Sequence, residues 1–216
     1  EEGFTVSISR KSIIQKDSNR NIEFPFPNLT GNHQVSNAMT AISALTHLNI
    51  PEKYICEGLK STYWPARLQK IKNGSLYKLI RSYNMKNQLW IDGGHNEDAS
   101  IQLKNSISFI NKKHLHIIYG SLRNKDHKSF LSNLVAVASS LSVVDIKNQP
   151  SSLLQTVAVS TAKEVGWEKI YSAHNIRDAI KYICSQNEGT KSHATILICG
   201  SLYLAGQALK ENGVPI

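Results

Sequence analysis

The chain has 216 residues, 41% of them hydrophobic, and carries 25 Lys and Arg against 16 Asp and Glu, a formal net charge of +9. That is the length of one large domain, or of one domain and part of another, with ordinary globular composition. No apolar run approaches the roughly 20 residues that span a bilayer, and no signal-peptide pattern opens the chain.

Cys56, Cys184 and Cys199 have neither metal nor redox spacing, which points to a reducing, cytoplasmic compartment without a disulfide framework. The basic residues are scattered, with no arginine-rich run and no interleaved aromatics. The charge therefore reads first as a biased, lysine-rich composition, which also suits anionic small substrates, and neither a nucleic-acid nor a membrane partner is expected. The chain opens at Glu1 rather than methionine, and its first residues already read as the middle of a sheet, so a fragment or a processed product is expected.

Residues 4–8 alternate as a half-buried strand does. Residues 21–26 read as its hairpin partner, joined through the polar turn Asp17-Ser18-Asn19, with Pro25 and Pro27 ending the pairing. A helix is predicted over 33–48, where Val35, Ala38, Ile42 and Leu45 share a face, and a second over 51–60 with proline at its first turn. Two strands and two helices in about 60 residues bury little apolar surface, so 1–64 reads as the tail of a larger domain. Trp64-Pro65-Ala66-Arg67-Leu68 breaks the pattern and marks the boundary to a second domain, 65–216. There, strands are predicted at 76–80, 88–91, 115–119, 141–146, 169–171 and 195–199. Helices are predicted at 98–110, 127–139, 151–165, 176–186 and 202–211. This alternation predicts an α/β fold with a Rossmann-like, mostly parallel sheet flanked by helices.

Chemistry concentrates at Leu89-Trp90-Ile91-Asp92-Gly93-Gly94-His95-Asn96. An apolar strand ends in an acid, a glycine turn and a histidine, and a helix follows. Ligands of α/β sheets sit at such carboxyl ends. Gly120-Ser121 and Gly200-Ser201 also follow strands near helix starts, where backbone N–H groups bind anions. Neither G-x-x-x-x-G-K-[ST] nor G-x-G-x-x-G occurs, which argues against a phosphate-cradling loop and a dinucleotide fingerprint.

Five blocks in order resemble the C-terminal half of a folylpolyglutamate synthase, or of its bifunctional dihydrofolate synthase form, in the Mur ligase superfamily. Gly31-Asn32-His33-Gln34 with Asn37-Ala38 is similar to the family's G-x-H-Q-x-x-N-A, and Trp64-Pro65-Ala66-Arg67-Leu68 to W-P-G-R-L. Asp92-Gly93-Gly94-His95-Asn96 is similar to D-G-A-H-N, Gly120-Ser121-Leu122 with Lys125-Asp126 to the glycine and K-D pair, and Gly200-Ser201-Leu202-Tyr203-Leu204 to G-S-L-Y-L. Two departures are Ala66 for glycine, expected to stiffen the linker, and Gly94 for alanine, expected to loosen the turn.

The resemblance implies a Mur ligase C-terminal, glutamate-binding domain preceded by the tail of a P-loop ATPase domain, in a monomer. It implies ATP-dependent amide formation through an acyl phosphate, joining L-glutamate to dihydropteroate or to a folate polyglutamate. ATP and Mg2+ are the implied cofactors, the Mg2+ ligands and the P-loop lying in the family's N-terminal domain, absent from these residues; this chain alone is expected to be inactive. A peptidoglycan-type Mur ligase and a non-catalytic small-molecule-binding remnant are the alternatives.

The resemblance gives Arg67 a place on ATP phosphates, where an arginine fork suits anionic oxygens; the plain alternative is a solvated linker residue. Asp92 is placed near the nucleotide and is expected to orient His95, or else to form the turn. His95 is expected to hold glutamate or to bridge the domains. These three are the expected catalytic residues. Asn37 is placed near the adenine, or on a solvated helix face. Ser201 and Tyr203 are expected at the glutamate carboxylate, with a plain N-cap as the alternative for Ser201. Asn96 reads as a helix cap, and Lys125-Asp126 as substrate guides or a solvated pair. His33, His47, His114, His116, His127, His174 and His193 lack ligand spacing, so no zinc site is expected.

Overall fold

The computed structural model describes residues 4–18, 20–186 and 193–213, which divide by contact into two units, Glu1–Trp64 and Pro65–Ile216.

In the first unit, β1 (Thr5–Ile8), β2 (Ser12–Lys16) and β3 (Asn21–Pro25) form an antiparallel sheet in that order, followed by α1 (Asn32–His47) and α2 (Glu52–Ser61). The expected pairing of 4–8 with 21–26 is corrected. β2 lies between β1 and β3 and pairs with both. The turn at Asp17 and Ser18 joins β2 to β3; Asn19 lies outside the described residues. β2 is hard to read because its inward positions are Ile13 and Gln15, one of them polar. Gln15 is buried and accepts a hydrogen bond from Thr46 Oγ1 on α1 (2.9 Å), which is how a buried amide is tolerated. Ile13, Phe24, Ala38, Ile42, Ile55 and Leu59 make the core of this unit.

The second unit runs β4 (Gln69–Ile71), α3 (Ser75–Tyr83), β5 (Gln88–Ile91), α4 (Glu97–Ile107), β6 (Leu115–Tyr119), α5 (His127–Val135), β7 (Ser140–Val143), α6 (Gln155–Glu164), β8 (Ile170–Ser172), α7 (Ile176–Gln186), β9 (Thr195–Cys199) and α8 (Leu202–Asn212). The sheet order is β4-β5-β9-β6-β7-β8, antiparallel only at β4. Helices cover both faces, so the inner strands are buried on both sides and largely apolar. One core gathers Leu76, Ile118, Ile180, Ile196 and Leu204. The other gathers Ile117, Tyr119, Phe130, Leu141 and Leu197.

The strand predicted at 76–80 is corrected to α3. Leu76 and Ile80 are buried at helical spacing and Leu79 and Tyr83 pack beside them. The start of α3 is capped from far along the chain. Asn212 Oδ1 accepts the N–H groups of Leu76 (3.0 Å) and Tyr77 (3.2 Å), a signal no local motif carries. The short edge strand β4 has no predicted counterpart. The helices predicted over 127–139 and 151–165 are α5 and the later-starting α6. Among the described residues no helix is long and apolar enough to cross a membrane.

His116 on β6 is buried, its Nδ1 2.8 Å from Ser140 Oγ. Burial, then the positive charge of His114 and Lys169, pushes its pKa down to about 4. The unfolded chain takes up a proton near pH 6.5 that the folded chain refuses until about pH 4. Stability is therefore whole above pH 6.5 and falls through that window, by roughly 3 kcal/mol at its end. Urea midpoints between pH 7 and 4 should fall less steeply in His116→Gln. Equal slopes in the two proteins would refute the assignment to His116.

Candidate functional site

At the carboxyl edge of the large sheet, the turn after β5 is built around Asp92. Its carboxylate is buried, with Oδ2 accepting the Leu68 N–H (2.6 Å) and Oδ1 the Gly94 N–H (2.6 Å). The Gly93 N–H donates to Ala66 C=O at 2.8 Å. Segment 65–68 is thereby clipped onto the turn. Ala66 and Leu68 take left-handed conformations there, with φ of 58° and 42°, uncommon for residues bearing a Cβ. Arg67 stands between them, half-buried, and its guanidinium makes no hydrogen bond or ion pair with the described residues.

The expected contact of Asp92 with His95 is corrected. His95 Nδ1 lies 3.2 Å from Gly93 C=O. A carbonyl only accepts, so it is Nδ1–H that donates in this bond. The Gly94 departure also has a different sense from the one expected. A Cβ there would lie 2.8 Å from Asp92 Oδ1 and 2.9 Å from the Ala99 Cβ. The glycine lets the turn close tightly around the carboxylate. Asn96 caps α4 through Ala99 N–H at 2.9 Å, as its position suggests.

The β9 turn joins this one through Gly200 N–H to Gly94 C=O at 3.0 Å. Ser201, buried, caps α8 with its Oγ accepting the Tyr203 N–H (3.1 Å), and Tyr203 itself is exposed. A cavity of about 140 Å3 is walled by His95, Leu122, Lys125, Gly200, Ser201, Leu202 and Tyr203. It brings three expected residues together, His95, Ser201 and Tyr203, with Lys125. Asp126 points elsewhere, capping α5 through Ser129 N–H (3.0 Å) and Oγ (2.7 Å), bonds that hold its carboxyl below the usual range. Asn37 belongs to the first unit, on the exposed side of α1, donating to Gln34 Oε1 at 3.2 Å.

Behind the cavity lies a pair that the sequence does not single out. Tyr119 ends β6 fully buried, its hydroxyl 3.0 Å from His127 Nδ1. Burial raises the phenol and lowers the imidazole. The two groups share one hydrogen bond, whose direction follows the tautomer of the ring. Cys199, at the end of β9, is pushed well above its ordinary range by burial, so it is no thiolate nucleophile. Among the described residues no group of three or more His, Cys, Asp or Glu could hold a metal ion.

Residues 75–211 match the family described as dihydrofolate synthetase, C-terminal domain. The chain is 26% identical over 183 residues to folylpolyglutamate synthase of Lacticaseibacillus casei, an alignment covering 82% of this chain and 38% of that protein. It is 24% identical over 192 residues to a probable dihydrofolate synthetase of Schizosaccharomyces pombe, covering 82% and 42%. The chain thus spans less than half the length of these curated relatives. The same fold occurs in Mycobacterium tuberculosis folylpolyglutamate synthase complexed with ADP and AMPPCP, at 22% identity and a TM-score of 0.75 over 98% of this chain and 47% of that one. It occurs also in E. coli FolC in complex with DHPP and ADP, at 18% identity and a TM-score of 0.71 over 96% and 45%. On the extent of the family match, the chain belongs to the dihydrofolate synthetase C-terminal domain family.

Proposed function

We propose that this chain is the C-terminal part of an ATP-dependent ligase that joins L-glutamate to dihydropteroate or to a folate polyglutamate, working as a cytoplasmic monomer. The reading is carried by one observation: His95, Lys125 and Ser201 converge on a small cavity beside the loop that presents Arg67. A cavity of about 140 Å3 suits an amino acid rather than a pterin. Lys125, the Ser201 hydroxyl and the α8 N-terminus favour the amino acid's carboxylates. His95 Nε2 accepts a proton from its amine. That leaves the amine's lone pair free to attack a carboxyl activated as an acyl phosphate, and inorganic phosphate departs as the amide forms. The unpaired Arg67 guanidinium meets the phosphoryl charge that builds during transfer. ATP's phosphate cradle and Mg2+ are assigned to residues outside this chain. The Cys56, Cys184 and Cys199 thiols are all unpaired, in keeping with a reducing compartment.

The test is acceptor- and glutamate-dependent ADP release by the protein that contains this chain. Arg67→Ala should lower kcat about a hundredfold, the scale of losing one charge-stabilising donor. His95→Ala should raise KM for glutamate more than KM for ATP. Turnover on a UDP-muramyl acceptor in place of a pteroate one, or none that needs glutamate, would overturn the proposal.

A further inference from the structure

We infer that Tyr119 and His127 form a positioning link that sets the spacing between the two walls of the small cavity, and so its selectivity for the amino-acid substrate. The inference rests on the ligase reading above for the identity of that substrate.

The two walls come from different turns. Gly200, Ser201 and Tyr203 follow β9, whereas Leu122 and Lys125 follow β6. Tyr119 touches both sides. On the β9 side, its ring packs against the Gly200 backbone. A Cβ on Gly200 would stand 2.6 Å from Tyr119 Cδ2 and Cε2, so no side chain separates ring from turn. On the β6 side, its hydroxyl reaches His127, the first residue of α5 and two positions after Lys125. Lys125 is itself folded back by its N–H to Leu122 C=O at 3.2 Å. The Tyr119 ring cannot tilt freely, because Phe130 packs on it at 5.6 Å between centroids. A rigid ring thus spans from the Gly200 turn to the start of α5, and the hydroxyl–imidazole bond closes the link. A purely apolar filler at 119 would support the Gly200 turn equally well. The hydroxyl adds a directional tie to the other wall, through His127 at 3.0 Å and through the side chain of Ser121 in the turn after β6.

The enzyme containing this chain is compared with its Tyr119→Phe, His127→Ala, His127→Asn and double Tyr119→Phe/His127→Ala forms. Tyr119→Phe and His127→Ala should each raise KM for glutamate about three- to tenfold, the scale of one hydrogen bond. KM for ATP should stay within about twofold, inside ordinary mutational coupling error. The double variant should be no worse than either single one, since both remove the same link. His127→Asn, whose side-chain oxygen accepts the phenol, should restore most of the loss. Amide NMR signals of Lys125 and Ser201 should move together in Tyr119→Phe and stay near wild type in His127→Asn. Equal shifts in both KM values, additive effects in the double variant, or signals that move on one wall only would overturn the link. A wild-type enzyme without glutamate-dependent turnover would overturn the ligase reading instead, and the NMR signals would still decide the link.

Discussion

Gly200→Ala should destabilise the second unit by about 4 kcal/mol, the sum of a strained backbone and an overpacked contact. Gly200 holds φ of +109°, which side chains rarely adopt. Relief by moving the neighbours is barred on each side. The added methyl would meet the Tyr119 ring at 2.6 Å and the Gly120 carbonyl oxygen at 2.9 Å. Tyr119 is 1% exposed and tied at its hydroxyl. Moving Gly200 itself would break its N–H bond to Gly94 C=O and open the β5 turn. A urea titration followed by far-UV signal measures the loss. A midpoint within error of the wild type would show that the three turns are far softer than their geometry indicates.

Asp92→Ala should cost about 2–5 kcal/mol, because two buried N–H groups lose their acceptor together. It should also abolish the Arg67-dependent step beyond what unfolding explains. The carboxylate alone answers the Leu68 and Gly94 amides at 2.6 Å each, and the left-handed Ala66 and Leu68 depend on that clip. Asp92→Asn should be nearly as damaging. It keeps one acceptor but turns an NH2 toward the other amide. The discriminating measurement is kcat in the full-length variant at a temperature where circular dichroism shows it folded. A wild-type kcat there would detach Asp92 from the Arg67 loop.

Much of the second unit is legible in the sequence because both faces of its sheet are covered. Leu115–Tyr119 is apolar apart from His116, and Thr195–Cys199 apart from its first residue, each ending at a glycine, and the acid-glycine turn after Gln88–Ile91 stands out against its strand. The misread segment at 76–80 is short, and what makes it a helix is packing of Leu76 and Ile80 on α7 and α8 and a cap from Asn212. In the first unit, β2 hides because Gln15 is buried only through its partner on another element. At the site, a pattern places an acid at a strand end but says nothing of which amides it faces. Asp92 turns toward the backbone of 68 and 94 rather than toward His95 for that reason. Tyr119 escapes notice because an aromatic closing an apolar strand looks like core, and only the position of His127 shows that its hydroxyl has work to do.

The order of the large sheet bears on how the molecule is made. β9, from Thr195 to Cys199, lies between β5 and β6 although it follows the other five strands of that sheet in sequence. Until those residues leave the ribosome, β5 and β6 each show an unpaired apolar edge. Such edges invite pairing with other chains, and the non-local contacts that would close them form late. The second unit therefore gains its central strand only after its other five strands have been made. A nascent chain stalled before Thr195 holds two open half-sheets, the state in which chaperone binding matters most.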